Sequence, residues 1–220
     1  MFDNVGVGLT TGRTPHTVEE MAQDAVVFAE TLGRRQVDLL GFSLGGFVAQ
    51  EVALTRPALV RRLILAGTGP QGAPRMHGWR EDITSHALMD QPDAEDLLYI
   101  FFPHSESGRQ DGGRFLGRIF QRVEGRDQTV SLATRDAQYD AVVRWGIPDI
   151  TKLQRLTGIR QPTLILQGDD DLMIPTIGSH TMAGLIPHAQ LHIFPASAHA
   201  SLFQNSERAA VLVTEFLTRD

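Results

Sequence analysis

The chain of 220 residues contains no cysteine, which excludes disulfides, thiolate metal sites and a cysteine nucleophile together. No apolar run approaches the length needed to cross a bilayer. The opening residues, M-F-D-N-V-G-V-G-L-T, lack a basic segment followed by an apolar core. The expectation is a soluble, cytoplasmic protein. Positive charge is also in short supply, since 20 Lys and Arg stand against 26 Asp and Glu for a formal net charge of −6. The arginines are scattered, which argues against a nucleic-acid or anionic-membrane surface. Repeats, low-complexity tracts and linkers are absent too, and the length suits one large domain with a full core.

What is present is a polar residue in an unusual setting. From residue 37 the chain reads V-D-L-L-G-F-S-L-G-G-F-V-A-Q-E-V-A-L. Val37 to Leu40 read as a short buried strand, and Leu44 to Leu54 are apolar at helical spacing up to Arg56-Pro57. Ser43 therefore falls where a strand turns directly into a helix. Such a corner crowds the backbone, and Gly41 and Gly45, two before and two after it, are expected to be needed for their missing Cβ, with Gly46 adding clearance. This G-x-S-x-G arrangement is a nucleophile elbow, which lifts the hydroxyl and aims the first helix amide, that of Leu44, at what the hydroxyl attacks. The alternative is that Ser43 is only an N-cap accepting a bond from an early helix amide.

The rest of the chain alternates helix and strand. Thr17-Val18-Glu19-Glu20 reads as a capping box opening a helix that Gly33 closes, and Leu63 to Ala66 read as a second strand. After G-T-G-P-Q-G the rhythm breaks. Residues 73–158 are mixed, with helical segments around Asp93–Phe102 and Phe115–Val123 and no good buried strand, which suggests a cap inserted into a core of residues 1–72 and 159–220. Strands return at 161–168 and Gln190–Phe194, with helices from about Thr176 to Leu185 and Ser206 to Leu217. The fold class is α/β, a mostly parallel sheet with helices on both faces.

A serine nucleophile needs a base and a third group to orient that base, and open parallel sheets present functional groups at the carboxyl ends of their strands. One strand runs into Asp169-Asp170-Asp171. Three adjacent acids read as a catalytic acid, a cation site or a solvated turn, although a hard-cation loop spaces its ligands along alternating positions. Of eight histidines, His199 alone follows a strand at the corresponding place. Gly6, Gly8 and Gly12 do not form a dinucleotide loop, since no full strand precedes them and no helix follows directly.

These segments resemble the α/β-hydrolase superfamily, in particular small capped serine hydrolases related to enol-lactonases, carbon–carbon bond hydrolases and cofactor-free haloperoxidases. F-D-N-V-G-V-G-L-T is similar to the loop after the family's fourth strand, G-F-S-L-G-G to its elbow, G-D-D-D-L-M-I-P to its acid loop and H-A-S-L-F-Q to its histidine loop. The resemblance implies Ser43 as nucleophile, Asp171 as the acid and His199 as the base, with no metal and no cofactor. It implies a serine hydrolase acting on a small ester, lactone or related carbonyl compound through an acyl-enzyme. A haloperoxidase or perhydrolase using the same three residues is an alternative. Ala198 departs from the family, which has glycine there.

Family members also carry about three strands and a His-Gly turn before the F-D-x-x-G loop, and that turn supplies a second oxyanion donor. Met1 coincides with the end of the fourth strand. The expectation is an N-terminally truncated hydrolase fold whose Leu44 amide is the one oxyanion donor, so that a weakly active fragment completed by a partner is a further alternative. The strand at Val37 to Leu40 is then expected to expose an edge and cause self-association. Cap aromatics, among them Trp79, Phe101, Phe102, Phe120 and Trp145, are expected to wall a substrate pocket, or else to form ordinary cap core.

Overall fold

The computed structural model describes residues 2–122, 124–125 and 128–219. The residues that would test the expected place of Met1 and the expected helix end at Val123 lie outside these. Strands β1 (Val37–Phe42), β2 (Val60–Ala66), β3 (Thr163–Gly168) and β4 (Ala189–Phe194) form one parallel sheet in the order β1-β2-β3-β4. The register aligns Leu40 with Ile64, Ile64 with Leu164 and Leu164 with Gln190. Among the described residues nothing pairs with the outer edge of β1.

Helices fill both faces because alternate residues of the central strands point to opposite sides. Leu63, Leu65 and Ile165 enter one apolar cluster with residues of α1 (Val18–Thr31), α2 (Leu44–Thr55) and α8 (Ile177–Leu185). Ile64, Ala66, Leu164 and Leu166 enter the other with Phe216 of α10 (Ser206–Thr218). Leu63, Leu65 and Leu166 are fully buried, and burial of each such side chain is worth about 1.5–3 kcal/mol relative to exposure. Thr17 caps α1 by accepting from the Glu20 amide at 3.3 Å, but the Glu20 carboxylate takes its bond from the Thr17 hydroxyl at 2.9 Å and not from the Thr17 amide, so half of the expected capping box forms.

Between β2 and β3 lie α3 (Glu81–Ala87), α4 (Ala94–Phe101), α5 (Glu106–Phe120), α6 (Leu132–Trp145) and α7 (Ile150–Gln154), followed by a 3-10 turn at Arg155–Gly158. No strand occurs among the described residues of this segment. It shares the main core: Ala73, Met76, Ala141, Trp145 and Leu153 join the same cluster as Phe47 of α2. Two features depart from the sequence reading. Helix α5 begins at the Ser105 cap, well before Phe115, because its glycines permit close packing and do not break it. A Cβ at Gly112 would overlap Leu98 of α4. Helix α6 was not expected, since its buried face of Thr134, Ala137, Ala141, Val142 and Trp145 offers little apolar contrast for periodicity to reveal.

The short α9 (Ser201–Gln204) links the loop after β4 to α10. No described helix is long and apolar enough to cross a membrane.

Candidate active site

Ser43 sits between β1 and α2 with φ 54° and ψ −123°, a conformation that residues with a Cβ rarely adopt. It is pinned there by three bonds: its amide donates to Ala66 O at 3.0 Å, and its carbonyl accepts from Gly46 N at 2.8 Å and from the Thr68 hydroxyl at 2.9 Å. Its side chain makes no capping bond to α2, so the N-cap alternative does not hold. The flanking glycines differ in their reasons. A Cβ on Gly41 would overlap the Gly45 carbonyl and one on Gly46 would overlap Thr68, whereas one on Gly45 meets nothing within 4 Å. Clearance at the corner therefore rests on Gly41 and Gly46, and the expectation of steric need at Gly45 is corrected.

The loops after β3 and β4 are stitched to each other. Asp170 N donates to Ser197 O at 3.0 Å, Ser197 N donates to the Asp169 carboxylate at 3.2 Å, and Ala200 N reaches Phe101 O at 2.8 Å. Ala198 is buried but is not among the residues with positive φ, so glycine is not required where the family has it. Within this frame His199 Nε2 lies 2.9 Å from Ser43 Oγ, and His199 Nδ1 lies 2.8 Å from Asp171 Oδ2.

A carboxylate can only accept, so the Nδ1 hydrogen points to Asp171 and the Nε2 lone pair faces the serine hydroxyl. Asp171 is held at both oxygens. Gln167 Nε2 donates to Oδ2 at 2.8 Å, and Met173 N and Ile174 N donate to Oδ1 at 2.9 and 2.8 Å. The side chains of His199 and Asp171 are 1% and 0% exposed, and the imidazole lies between the rings of Phe42 and Phe101, with centroids at 5.2 and 5.6 Å. The three acids of the run diverge: Asp169 turns to Ser197, Asp170 is exposed and Asp171 turns inward.

A cavity of about 320 Å³ opens over Ser43, walled by Leu44, Trp79, Phe101, Tyr139, Met173 and His199. It is mostly apolar, and the amide of Leu44, first residue of α2, has no described acceptor.

The sequence matches the family described as alpha/beta hydrolase fold over residues 1–206. The chain belongs to the α/β-hydrolase family. Among curated relatives it is 30% identical to a poly(3-hydroxyalkanoate) depolymerase of Ectopseudomonas oleovorans, over 100% of this chain and 74% of that one. It is 28% identical to a 2-hydroxymuconate semialdehyde hydrolase of Pseudomonas putida, over 89% of this chain and 67% of that one. Among solved structures, an alpha/beta hydrolase fold protein from Chitinophaga pinensis superposes with a TM-score of 0.92 at 37% identity, covering 100% of this chain and 78% of that one. Relatives that are named hydrolases place this α/β-hydrolase chain among hydrolytic enzymes.

Of the five aromatics read from this hydrolase's sequence as pocket candidates, Trp79 and Phe101 line the cavity over Ser43 and three do not. Phe102 is buried against Phe115, with ring centroids 5.5 Å apart. Trp145 stacks on Phe47 at 5.2 Å and donates from Nε1 to Gly69 O at 3.2 Å, so its polar atom is spent inside the core. Phe120 is 48% exposed. Residues that the sequence reading missed include Tyr139 and Met173 in the cavity wall and Gln167 behind Asp171. Gln167 did carry a signal, as the lone amide in the apolar strand T-L-I-L-Q-G, fully buried one residue before the acid loop.

Proposed function

We propose that this protein is a serine hydrolase of small esters, lactones or related carbonyl compounds. The observation that carries the reading is the chain of contacts from Ser43 Oγ through His199 to Asp171, at 2.9 and 2.8 Å. His199 Nε2 takes the hydroxyl proton as Ser43 Oγ bonds to the substrate carbonyl carbon, and the carbonyl π pair moves onto oxygen. Leu44 N donates to that oxyanion, and Asp171 stabilises the imidazolium. Collapse expels the leaving group, which takes the proton from His199 Nε2, and leaves an acyl-serine. Water repeats the sequence to release the acid and restore Ser43.

A cavity of about 320 Å³ with apolar walls suits a compact acyl group. Residues 73–158 act as the cap that selects it, since Trp79, Phe101 and Tyr139 all come from that segment. The test is turnover of p-nitrophenyl acetate and butyrate together with covalent labelling by a fluorophosphonate. The wild-type chain is expected to do both and Ser43→Ala neither. Turnover that survives Ser43→Ala unchanged would remove the serine from the chemistry.

A further inference from the structure

Strand β3 is buried along its whole length, and Gln167 is the residue in it that an apolar interior least suits. It lies two residues beyond Ile165 on the same face of the sheet, and Ile165 belongs to the main apolar core. Gln167 is fully buried, yet its Oε1 has no partner among the described residues. A buried amide with an unmet acceptor is worse for stability than an apolar side chain of the same shape. Such a group in a folded interior calls for a functional reason, since packing alone would favour leucine or methionine here.

The nitrogen end of the side chain supplies that reason. Nε2 donates to Asp171 Oδ2 at 2.8 Å and to Ile174 O at 3.0 Å. Both partners can only accept, so the nitrogen and not the oxygen must face them, and both of its hydrogens are engaged. Ile174 N in turn donates to Asp171 Oδ1 at 2.8 Å. The contacts close a ring, from carboxamide to carboxylate, from carboxylate to loop amide, and from the loop carbonyl back to the carboxamide. Met173 N braces Oδ1 as well, at 2.9 Å. Two amides on Oδ1 fix where the carboxylate hangs but leave a broad torsion about its Cβ–Cγ bond, so the direction of Oδ2 is set by what bonds it. Only Gln167 and His199 Nδ1 do so among the described residues. Gln167 is the rigid member of the two, because β3 is hydrogen-bonded to β2 on one side and β4 on the other. The rings of Phe42 and Phe101 flank His199 but have no hydrogen with which to direct Oδ2.

We infer that Gln167 is a positioning residue of the reaction proposed above, on which this inference rests: it holds Asp171 Oδ2 in line with His199 Nδ1, and so keeps the Nε2 lone pair on Ser43 Oγ. It touches neither the substrate nor a reacting atom. Proton transfer from Ser43 Oγ, 2.9 Å from His199 Nε2, depends on the orientation of the imidazole, and a small misplacement is amplified in the rate. When the imidazole takes the serine proton, Oδ2 is the carboxylate oxygen bonded to the charged ring, and Gln167 keeps it there through acylation and deacylation alike. The unmet Oε1 is the stability cost of placing a double donor at this point of the strand.

The test uses the full chain and p-nitrophenyl butyrate. Gln167→Met keeps the length of the side chain and removes both hydrogens. Its kcat is expected to fall about 10- to 100-fold with KM within about threefold, the pattern for a defect confined to the chemical step. A merely structural role would lower the melting temperature and leave both constants alone wherever the chain is folded. The far-downfield proton resonance of His199 Nδ1 should move upfield and broaden in the variant, as its bond to Asp171 slackens. If Gln167→Met unfolds early in a thermal scan, the wild-type chain supplies the measurement. One side-chain amide hydrogen of Gln167 should then shift when an alkyl boronic acid forms its anionic tetrahedral adduct on Ser43 and leaves His199 charged. A kcat within about twofold of wild type, a change confined to KM, an Nδ1 resonance that stays put or moves downfield, or carboxamide resonances indifferent to the boronate would each overturn the assignment while leaving the serine mechanism standing. A wild-type chain that neither turns over the ester nor reacts with a fluorophosphonate would instead sink the hydrolase reading, and this inference with it.

Discussion

Replacing Asp171 by asparagine separates charge from shape. Oδ1 accepts two backbone amides, Met173 N and Ile174 N, so the asparagine carbonyl oxygen stays there and its NH₂ must occupy the position of Oδ2. That NH₂ then faces two donors, Gln167 Nε2 and the Nδ1 hydrogen of His199. Gln167 can adapt by flipping, because its Oε1 is buried with no partner, although the flip gives up the Nε2 bond to Ile174 O at 3.0 Å. The stability loss is therefore modest, about 1–3 kcal/mol for one buried group left unpaired.

His199 has no harmless adjustment. It must move its hydrogen to Nε2, which then points a donor at Ser43 Oγ and, on the proposed mechanism, removes the base. The expected loss in kcat is about 10⁴-fold, or ~5.4 kcal/mol of transition-state stabilisation. Asp169→Asn and Asp170→Asn alter exposed carboxylates and should stay within about threefold of wild type. Steady-state ester hydrolysis gives kcat, and urea unfolding gives stability. An Asp171→Asn enzyme that keeps more than about a tenth of its activity, or an Asp169→Asn enzyme that falls equally far, would refute the reasoning.

Three further outcomes are expected. Gly41→Ala should destabilise the fold by about 1–3 kcal/mol through overlap with backbone that has nowhere to move, while Gly45→Ala should be neutral or gain about 0.5–1 kcal/mol; equal midpoints in thermal unfolding would discount the elbow geometry. Asp96 is held below the ordinary carboxylate range, first by the Asp93 amide and then by His86, so its contribution is complete above pH about 4 and fades as the pH falls below that. The stability gap between wild type and Asp96→Asn should accordingly narrow on acidification, and a gap constant down to acid pH would count against this role. The outer edge of β1, which no described residue pairs and where Leu40 is 46% exposed, should recruit a second copy of the 220-residue chain. Light scattering should then show mass rising with concentration and Leu40→Lys lowering it, whereas a monomer at all concentrations would argue the edge is protected.

How much could be read beforehand depends on how local each constraint is. The elbow is written in five consecutive residues, and the Asp171 and His199 loops each directly follow a segment legible as a strand, so their places along the chain are legible. The direction of a side chain on a helix between β2 and β3 is set by neighbours distant in sequence. Trp145 and Phe101 are both aromatic residues of the same segment, yet one turns to Phe47 and the other to His199. Helix α6 is hard to read for a related reason: alanines give a buried face without an apolar signature. Glycine misled in both directions. It marks close packing in α5, where it suggests a break, and Gly45 needs no space, where the motif suggests it does.

On the serine mechanism proposed above, the backbone at Ser43 sets heat resistance against turnover at a single residue. A side chain held at φ 54° and ψ −123° carries about 1–3 kcal/mol of strain, and glycine, free of that strain, is the one residue that fits the corner at ease. A lineage selected for survival at high temperature with no demand for activity would lose this serine early, and would gain from doing so. Libraries screened on melting temperature alone should be expected to drift the same way, toward a sturdier protein with an empty elbow. Keeping the serine is a constraint that only selection on the reaction can maintain, and the fold around it must be stable enough to hold a conformation it would otherwise relax.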